Sequence, residues 1–170
     1  MKFSVAQKFG LLTSMLFAAQ VSLAAVGPMA NSKSKAKLGS QLPEGEKAIY
    51  LRVVEAYREG NVAQVYRFRD LLLKHYPRSV YADNALYLTG LLDYHKGRTA
   101  EAIQNFGDVE TRYPQSNKRV SAMYAKAVAY SKLNMPEFTK RLLKEIIDQY
   151  PGSPESQRAW IDLRLKDKRG

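Results

Sequence analysis

A unit of 37 residues repeats three times along this chain and constrains its fold more than any other feature. The motif Tyr-Pro-x-Ser occurs at residues 76–79, 113–116 and 150–153, and both intervals are 37 residues. Two further sets recur at the same interval: Gly60, Gly97 and Asn134, and Ala48, Ala85 and Ala122. A fixed period of about 20 to 50 residues is typical of solenoids, in which each unit buries its apolar face by stacking on its neighbours.

The recurring residues predict that each unit is a pair of helices. Glycine and asparagine tolerate the left-handed conformation that ends a helix, so Gly60, Gly97 and Asn134 mark the turn inside each hairpin. A proline follows each second helix and ends it, and the serine two residues later can cap the next helix. The predicted helices cover residues 46–59, 62–75, 82–96, 99–112, 119–133, 136–149 and 154–168.

The sequence therefore predicts an all-α solenoid of three helical hairpins with a C-terminal capping helix, over residues 44–170. The repeats cover about 46–79, 83–116 and 120–153, and the capping helix covers 154–168. Trp160 stands where the repeats carry Leu86 and Met123, so we expect it to be largely buried against the third hairpin. The far side of this helix is expected to be charged, as a terminal cap requires. Its charged residues are Arg158, Arg164, Lys166 and Lys168.

The N-terminus predicts export. Lys2 and Lys8 form a positive segment before the apolar run 9–19, and small residues follow up to Ala24. This pattern is typical of a signal peptide over residues 1–24, cleaved after Ala24 or, alternatively, after Ala25. An uncleaved anchor is disfavoured because the apolar run is shorter than the ~20 residues that span a bilayer. The predicted location is the periplasm.

Residues 25–43 and the net charge suggest what the exported chain contacts. The segment is rich in Ser, Gly, Pro and Lys and predicts a flexible basic linker. The formal net charge of the whole chain is +11. Outside the cytoplasm, this excess favours anionic envelope polymers, lipid headgroups or an acidic protein over nucleic acid. A solvated basic surface without a specific partner is the alternative. The absence of cysteine excludes disulfides and argues against lipid attachment at an N-terminal cysteine.

The repeat resembles the tetratricopeptide repeat (TPR). The second unit carries the framework residues Ala85, Leu86, Gly90, Gly97, Ala102, Phe106, Val109 and Pro114. The third unit carries Ala122, Ala127, Tyr130, Leu143, Ile146 and Pro151, whereas the first has Arg52 and Arg69 where apolar residues are usual. The Tyr-Pro-x-Ser ending and residues 81–87 resemble the C-terminal region of the YbgF/CpoB family, which is associated with the Tol–Pal system. More distantly, the chain is similar to BamD-type outer-membrane assembly proteins.

The sequence carries no recognisable catalytic or metal-binding constellation. His75 and His95 lie in different repeats, and neither has a second ligand at metal-binding spacing. The chain has no glycine-rich phosphate loop and no G-x-S-x-G or H-E-x-x-H motif. We therefore expect no enzymatic activity, no metal and no cofactor.

A row of tyrosines suggests a binding groove. The TPR resemblance implies that the first helix of each hairpin lines the concave surface, where Tyr50, Tyr87 and Tyr124 stand 37 residues apart. Tyr57 and Tyr94 form a second row. The other predicted groove residues are Lys47, Arg58, Asn84, Leu91, His95 and Lys132. Aromatic rings with basic and amide neighbours suit an extended peptide. The alternative is that these tyrosines pack within and between repeats.

The predicted function is that of a non-enzymatic adaptor. It would bind a segment of a protein partner and take part in envelope organisation, either in division or in outer-membrane assembly. The alternative is a protein that holds an anionic envelope polymer or lipid through its basic surface. Ionic strength separates the two, because a polyanion contact weakens steeply with salt.

Overall fold

The computed structural model describes residues 45–167, and within that range it contains seven α-helices and no strand. The helices are α1 (Glu46–Arg58), α2 (Val62–His75), α3 (Ala82–His95), α4 (Thr99–Arg112), α5 (Arg119–Lys132), α6 (Pro136–Gln149) and α7 (Pro154–Asp167). The predicted signal peptide, at residues 1–24, and the predicted linker, at residues 25–43, lie outside the described residues.

The helices form three hairpins followed by a single helix, which confirms the predicted all-α repeat fold. Each helix packs against the next along the chain, and the first helices of neighbouring repeats, α1, α3, α5 and α7, also contact one another. All seven helices begin at the predicted residue; three of them, α1, α3 and α5, end one residue earlier than predicted, and α2, α4 and α6 end where predicted. This agreement reflects the strength of the local signals at each turn.

The turn inside each hairpin has the predicted left-handed residue. The φ angle is 65° at Gly60, 80° at Gly97 and 56° at Asn134. In the second hairpin, the amide of Arg98 donates a hydrogen bond to the carbonyl oxygen of Asp93 at 2.8 Å. A bond that spans five residues across a left-handed residue is the signature of a Schellman motif, which closes the helix and satisfies its last carbonyls.

We expect Gly97→Val to lower the free energy of unfolding by about 1–3 kcal/mol, because a β-branched residue is strained in the left-handed region. No atom lies within 4 Å of the place that a Cβ would occupy at Gly97, so the cost comes from the backbone alone. Asn134→Gly is the matched control and should be neutral or slightly stabilising, since Asn134 already holds the strained angle. Urea denaturation followed by circular dichroism measures both. An unchanged Gly97→Val variant would contradict the assigned turn.

The serines of the Tyr-Pro-x-Ser motif do not all cap a helix. The hydroxyl oxygen of Ser153 accepts a hydrogen bond from the amide of Ser156 at 3.0 Å, which caps the start of α7. Ser79 and Ser116 instead accept from the amides of Tyr81 and Lys118, at 3.1 and 2.9 Å. Those two amides precede α3 and α5, so the serines shape the turn before the helix. The expected helix caps are therefore found only at Ser153.

Small residues allow the helices to approach closely. A Cβ added to Gly90 on α3 would lie 2.6 Å from Cε1 of Phe106 on α4, well inside van der Waals contact. Phe106 is fully buried, so its ring cannot move aside without opening the core. Ala85, Ala122 and Ala159 occupy one repeat position and are fully buried where each first helix crosses the preceding hairpin.

The expectation that Trp160 would be buried is wrong, because 49% of its surface is exposed. The equivalent residues Ile49, Leu86 and Met123 are buried in a hairpin with a second helix, and in the described residues no second helix packs on α7. Helix α7 still covers the third hairpin, but through Ala159 and Leu163 on its other side. On the far side of α7, the exposed ring of Trp160 lies beneath the guanidinium of Arg164, one of the expected charged residues.

Candidate partner-binding surface

The first residue of the predicted tyrosine row, Tyr50, packs between repeats. Its ring stacks on that of Tyr81, with the centroids 4.8 Å apart and the planes at 15°. Its hydroxyl accepts a hydrogen bond from the side-chain amide of Asn84 on α3. Tyr81 lies just before α3, the first helix of the next repeat, and Asn84 lies in the first turn of α3. Tyr50 and Asn84, two of the predicted groove residues, therefore bind each other.

The other two tyrosines of this row are buried, which contradicts the expectation that they are exposed. Only 8% of Tyr87 and 7% of Tyr124 is accessible. Burial raises the pKa of Tyr87 to about 12, and the negative charge of Glu155 adds to this shift. Burial also raises the pKa of Tyr124, whose hydroxyl donates a hydrogen bond to Oδ2 of Asp162 at 2.8 Å. The packing alternative thus describes Tyr87 and Tyr124.

The second row is the more accessible one. Tyr57 and Tyr94 are partly buried, and burial raises the pKa of each. The ammonium of Lys132 lies 4.4 Å from the centre of the Tyr94 ring and donates a hydrogen bond to the Tyr94 carbonyl oxygen at 3.2 Å. The ring of His95 meets that of Tyr94 edge-on, with the centroids 6.0 Å apart. These contacts join the ends of α3 and α5.

Three basic residues share one repeat position beside this row. Arg58, His95 and Lys132 are 37 residues apart, each is the last residue of a first helix, and all three are exposed. We call them the basic column. Partial burial, and secondarily the charge of Lys132, lowers the pKa of His95 and so favours the neutral imidazole. A cation at a helix C-terminus also interacts favourably with the helix dipole. The alternative to partner binding is therefore that Arg58 and Lys132 only stabilise the ends of their own helices.

The remaining predicted groove residues are divided between surface and core. Lys47 is exposed near the start of α1. Leu91 on α3 is buried, with 2% of its surface accessible, and so it contributes to packing. The structure therefore brings Tyr94, His95 and Lys132 together, and it places Tyr87, Leu91 and Tyr124 in the core.

A buried polar network between the first two repeats was not predicted. Asp93 on α3 is fully buried, and its Oδ2 accepts hydrogen bonds from the hydroxyl of Tyr66 at 2.7 Å and the side-chain amide of Asn105 at 2.9 Å. Its Oδ1 lies 3.2 Å from Nε of Arg98, an ion-pair contact without hydrogen-bond geometry. Arg69 donates to Oδ1 of Asn105 at 2.8 Å. We call these five residues the Asp93 network.

The Asp93 network explains why the first repeat departs from the TPR framework at Arg69. Burial raises the pKa of Asp93, and its hydrogen bond from Tyr66 and the charge of Arg98 act in the opposite direction. The guanidinium carbon of Arg69 lies 4.0 Å from the centre of the Tyr66 ring. A signal was present in the sequence, because the residues equivalent to Asn105 in the other repeats are Phe68 and Leu142. A polar residue at a repeat position that is otherwise apolar indicates that its side chain has a hydrogen-bond partner in the core.

Further features of the described residues bear on the site's chemistry. Within residues 45–167, no three His, Cys, Asp or Glu side chains are grouped as metal ligands would be. In the same range, no helix has the length and apolarity that crossing a bilayer requires.

The fold defines the class of protein: a TPR-like helical-repeat protein. The family model described as "YfiO: Outer membrane lipoprotein" matches residues 82–161, from the start of α3 into α7. This span is less than half of the 170 residues. The match supports the resemblance to BamD-type proteins. A comparison with curated proteins gave no match.

Proposed function

We propose that this protein is an exported, non-enzymatic adaptor of the cell envelope that binds a segment of a protein partner. The description of the matched family favours a role at the outer membrane. A role in the Tol–Pal system is the alternative. The observation that carries the proposal is the basic column, with its three exposed residues at one repeat position beside Tyr57 and Tyr94.

The chemistry of this surface suits a partner segment that carries carboxylates. Arg58 and Lys132 supply positive charge at two of the three helix ends, and the partly buried tyrosine rings supply apolar contact area. The side chain of Lys132 is already placed by its contacts with Tyr94, so less entropy is lost when a carboxylate binds it. Repetition at 37 residues would let one extended segment meet several equivalent positions.

Site-specific photo-crosslinking in the envelope of a Gram-negative host tests this proposal. A photoreactive residue in place of His95 should give a discrete crosslinked protein. The same residue in place of Gln104, which is exposed on the second helix α4, should not. Adding Arg58→Glu and Lys132→Glu to the His95 variant should remove most of the product, because carboxylates repel each other. Equal products from both positions, or a product insensitive to the charge reversal, would contradict the proposal.

Two control measurements separate the alternatives. If the basic column only stabilises helix ends, Lys132→Glu should lower the free energy of unfolding by about 0.3–1 kcal/mol and leave crosslinking unchanged. If the protein holds an anionic polymer or lipid, the association should disappear between about 0.1 and 1 M salt, whereas contacts with the tyrosine rings should persist.

A further inference from the structure

A cleft of about 390 Å³ lies between the first two Tyr-Pro-x-Ser loops. Loop residues 77–80 and 113–116 form its two sides, together with Arg112 at the end of α4. The hydroxyl of Tyr113 donates a hydrogen bond to the carbonyl oxygen of Pro77 at 3.1 Å, so the two loops are joined. We call this feature the loop cleft. It lies at the end of the hairpins opposite the basic column, because each second helix runs antiparallel to the first.

The charge available to a ligand in the loop cleft is positive. Arg78 and Arg112 line the cleft, and both are exposed. The side chain of Arg78 makes no hydrogen bond or ion pair with another of residues 45–167, and Arg112 has a long ion pair with Asp108, at 3.7 Å. The carboxylate of Asp83 also lines the cleft, but the hydroxyl of Ser116 and the amide of the next residue already donate to its two oxygens.

The third Tyr-Pro-x-Ser loop shows that the fold does not require this charge. Residues 74–83 and 111–120, which contain the first two loops, have five lysines and arginines and one acid. The equivalent residues 148–157 have no lysine or arginine and two acids. The same turn and the same helix ends therefore form without the positive charge, so the charge of the first two loops needs an explanation outside the fold.

Val80 adds an exposed apolar side chain to the rim of the loop cleft. Its accessible fraction, 78%, is the highest among the exposed large apolar residues of the described range. The equivalent residues, Asn117 and Pro154, show that the fold does not require an apolar side chain here. A stable protein interface buries about 800 Å² on each partner, far more than one valine offers. An apolar side chain flanked by arginines instead suits an anionic bilayer, where cations meet phosphates and the apolar group enters the headgroup region.

We propose that the loop cleft is a membrane-contacting surface, which binds the phosphate groups of anionic phospholipids through Arg78 and Arg112 and inserts Val80 between the headgroups. The inference does not depend on the proposed adaptor function, because the loop cleft and the basic column share no residue. Contact with a bilayer at this end of the hairpins would leave the basic column facing away from it.

A label at Val80 tests the insertion. The chain has no cysteine, so one introduced thiol reports on one position. The full chain with Val80→Cys, carrying an environment-sensitive fluorophore, is mixed with vesicles of about 30% phosphatidylglycerol in phosphatidylcholine. Its emission should shift to shorter wavelength and be quenched by nitroxide-labelled lipids, whereas phosphatidylcholine vesicles should cause no shift. Leu133→Cys is the control, because Leu133 is apolar and 44% exposed beside the basic column, and it should report no insertion.

Replacing the two arginines tests the contact with phosphates. Each Lys or Arg near an anionic surface strengthens binding about fivefold, so Arg78→Gln with Arg112→Gln should weaken vesicle binding about 25-fold. Glutamine already occupies an equivalent position of each arginine in another repeat, so the variant should fold. Arg67→Gln with Lys144→Gln removes the same charge from exposed positions on α2 and α6, and should weaken binding less than about threefold. Circular dichroism verifies that both double variants are folded.

Four results would overturn the inference. One is an unchanged emission of the label at Val80, and another is an equal shift with phosphatidylcholine vesicles. The third is equal vesicle binding by the two double variants, which would show that only net charge matters. The fourth is insertion reported at Leu133 and not at Val80, which would place the lipid contact at the basic column. Soluble glycerol phosphate should leave the emission unchanged, since an equal shift would indicate a site for a free anion.

Discussion

Replacing Tyr87 with alanine is expected to lower the free energy of unfolding by about 3–5 kcal/mol, the range for removing a large buried ring. Only 8% of Tyr87 is accessible, and its ring packs against that of Phe106 with the centroids 5.8 Å apart. Truncation would leave a cavity beside a fully buried phenylalanine. The sequence had suggested a groove residue, and its burial instead predicts that its loss lowers stability.

Two other tyrosines are the controls for this experiment. Tyr124→Phe keeps the ring and removes only the hydrogen bond to Asp162, so it should cost about 1 kcal/mol. Tyr94→Ala removes a ring that is partly exposed and should cost less than Tyr87→Ala. Urea denaturation of the three variants gives the comparison. A Tyr87→Ala protein as stable as the unaltered chain would show that Tyr87 is available to a partner after all.

Replacing Asp93 with alanine should lower the free energy of unfolding by about 3 kcal/mol. The carboxylate is fully buried and accepts hydrogen bonds from Tyr66 and Asn105, so its removal leaves buried donors without an acceptor. Arg98, whose Nε lies 3.2 Å from Oδ1 of Asp93, would keep only its second acidic partner, Glu101, at 3.5 Å.

The repeat supplies the control for this second experiment. The residues equivalent to Asp93 and Asn105 in neighbouring repeats include Ala56 and Leu142. The double variant Asp93→Ala with Asn105→Leu therefore places apolar residues at both positions and should recover part of the loss, since it removes the Asn105 amide that Asp93→Ala alone leaves without its acceptor. Chemical denaturation measures the double variant and both single variants, Asp93→Ala and Asn105→Leu. Losses that simply add would contradict the proposed coupling through the Asp93 network.

The sequence was sufficient for the helices and turns because their causes are local. A left-handed residue such as Gly97 or Asn134 and a proline at each repeat end determine where helices stop, whatever lies around them. The 37-residue interval then determines that hairpins stack, since one hairpin alone leaves its apolar face in water.

The candidate site was predictable only in part. Equal spacing picks out two rows of tyrosines, but a residue that faces solvent and one that faces the next helix have the same spacing. Tyr87 and Tyr124 are buried by neighbouring helices, whereas Tyr94 stays partly accessible beside His95 and Lys132. Which row is open depends on how closely adjacent first helices approach, and that is a property of the packed solenoid.

By itself, the sequence determined the class of fold, the number of hairpins and the bounds of the helices, because residues close along the chain encode them. Only the tertiary structure decided that Asp93 is a buried hub, that Tyr87 belongs to the core and that Trp160 does not. Each of these depends on a helix from another part of the chain. Asp93 and Tyr87 have such a neighbour, whereas within residues 45–167 no second helix covers Trp160 as one covers its equivalents. The burial of a residue is determined by what packs across it, and a repeat predicts that burial only where the neighbouring helix is present.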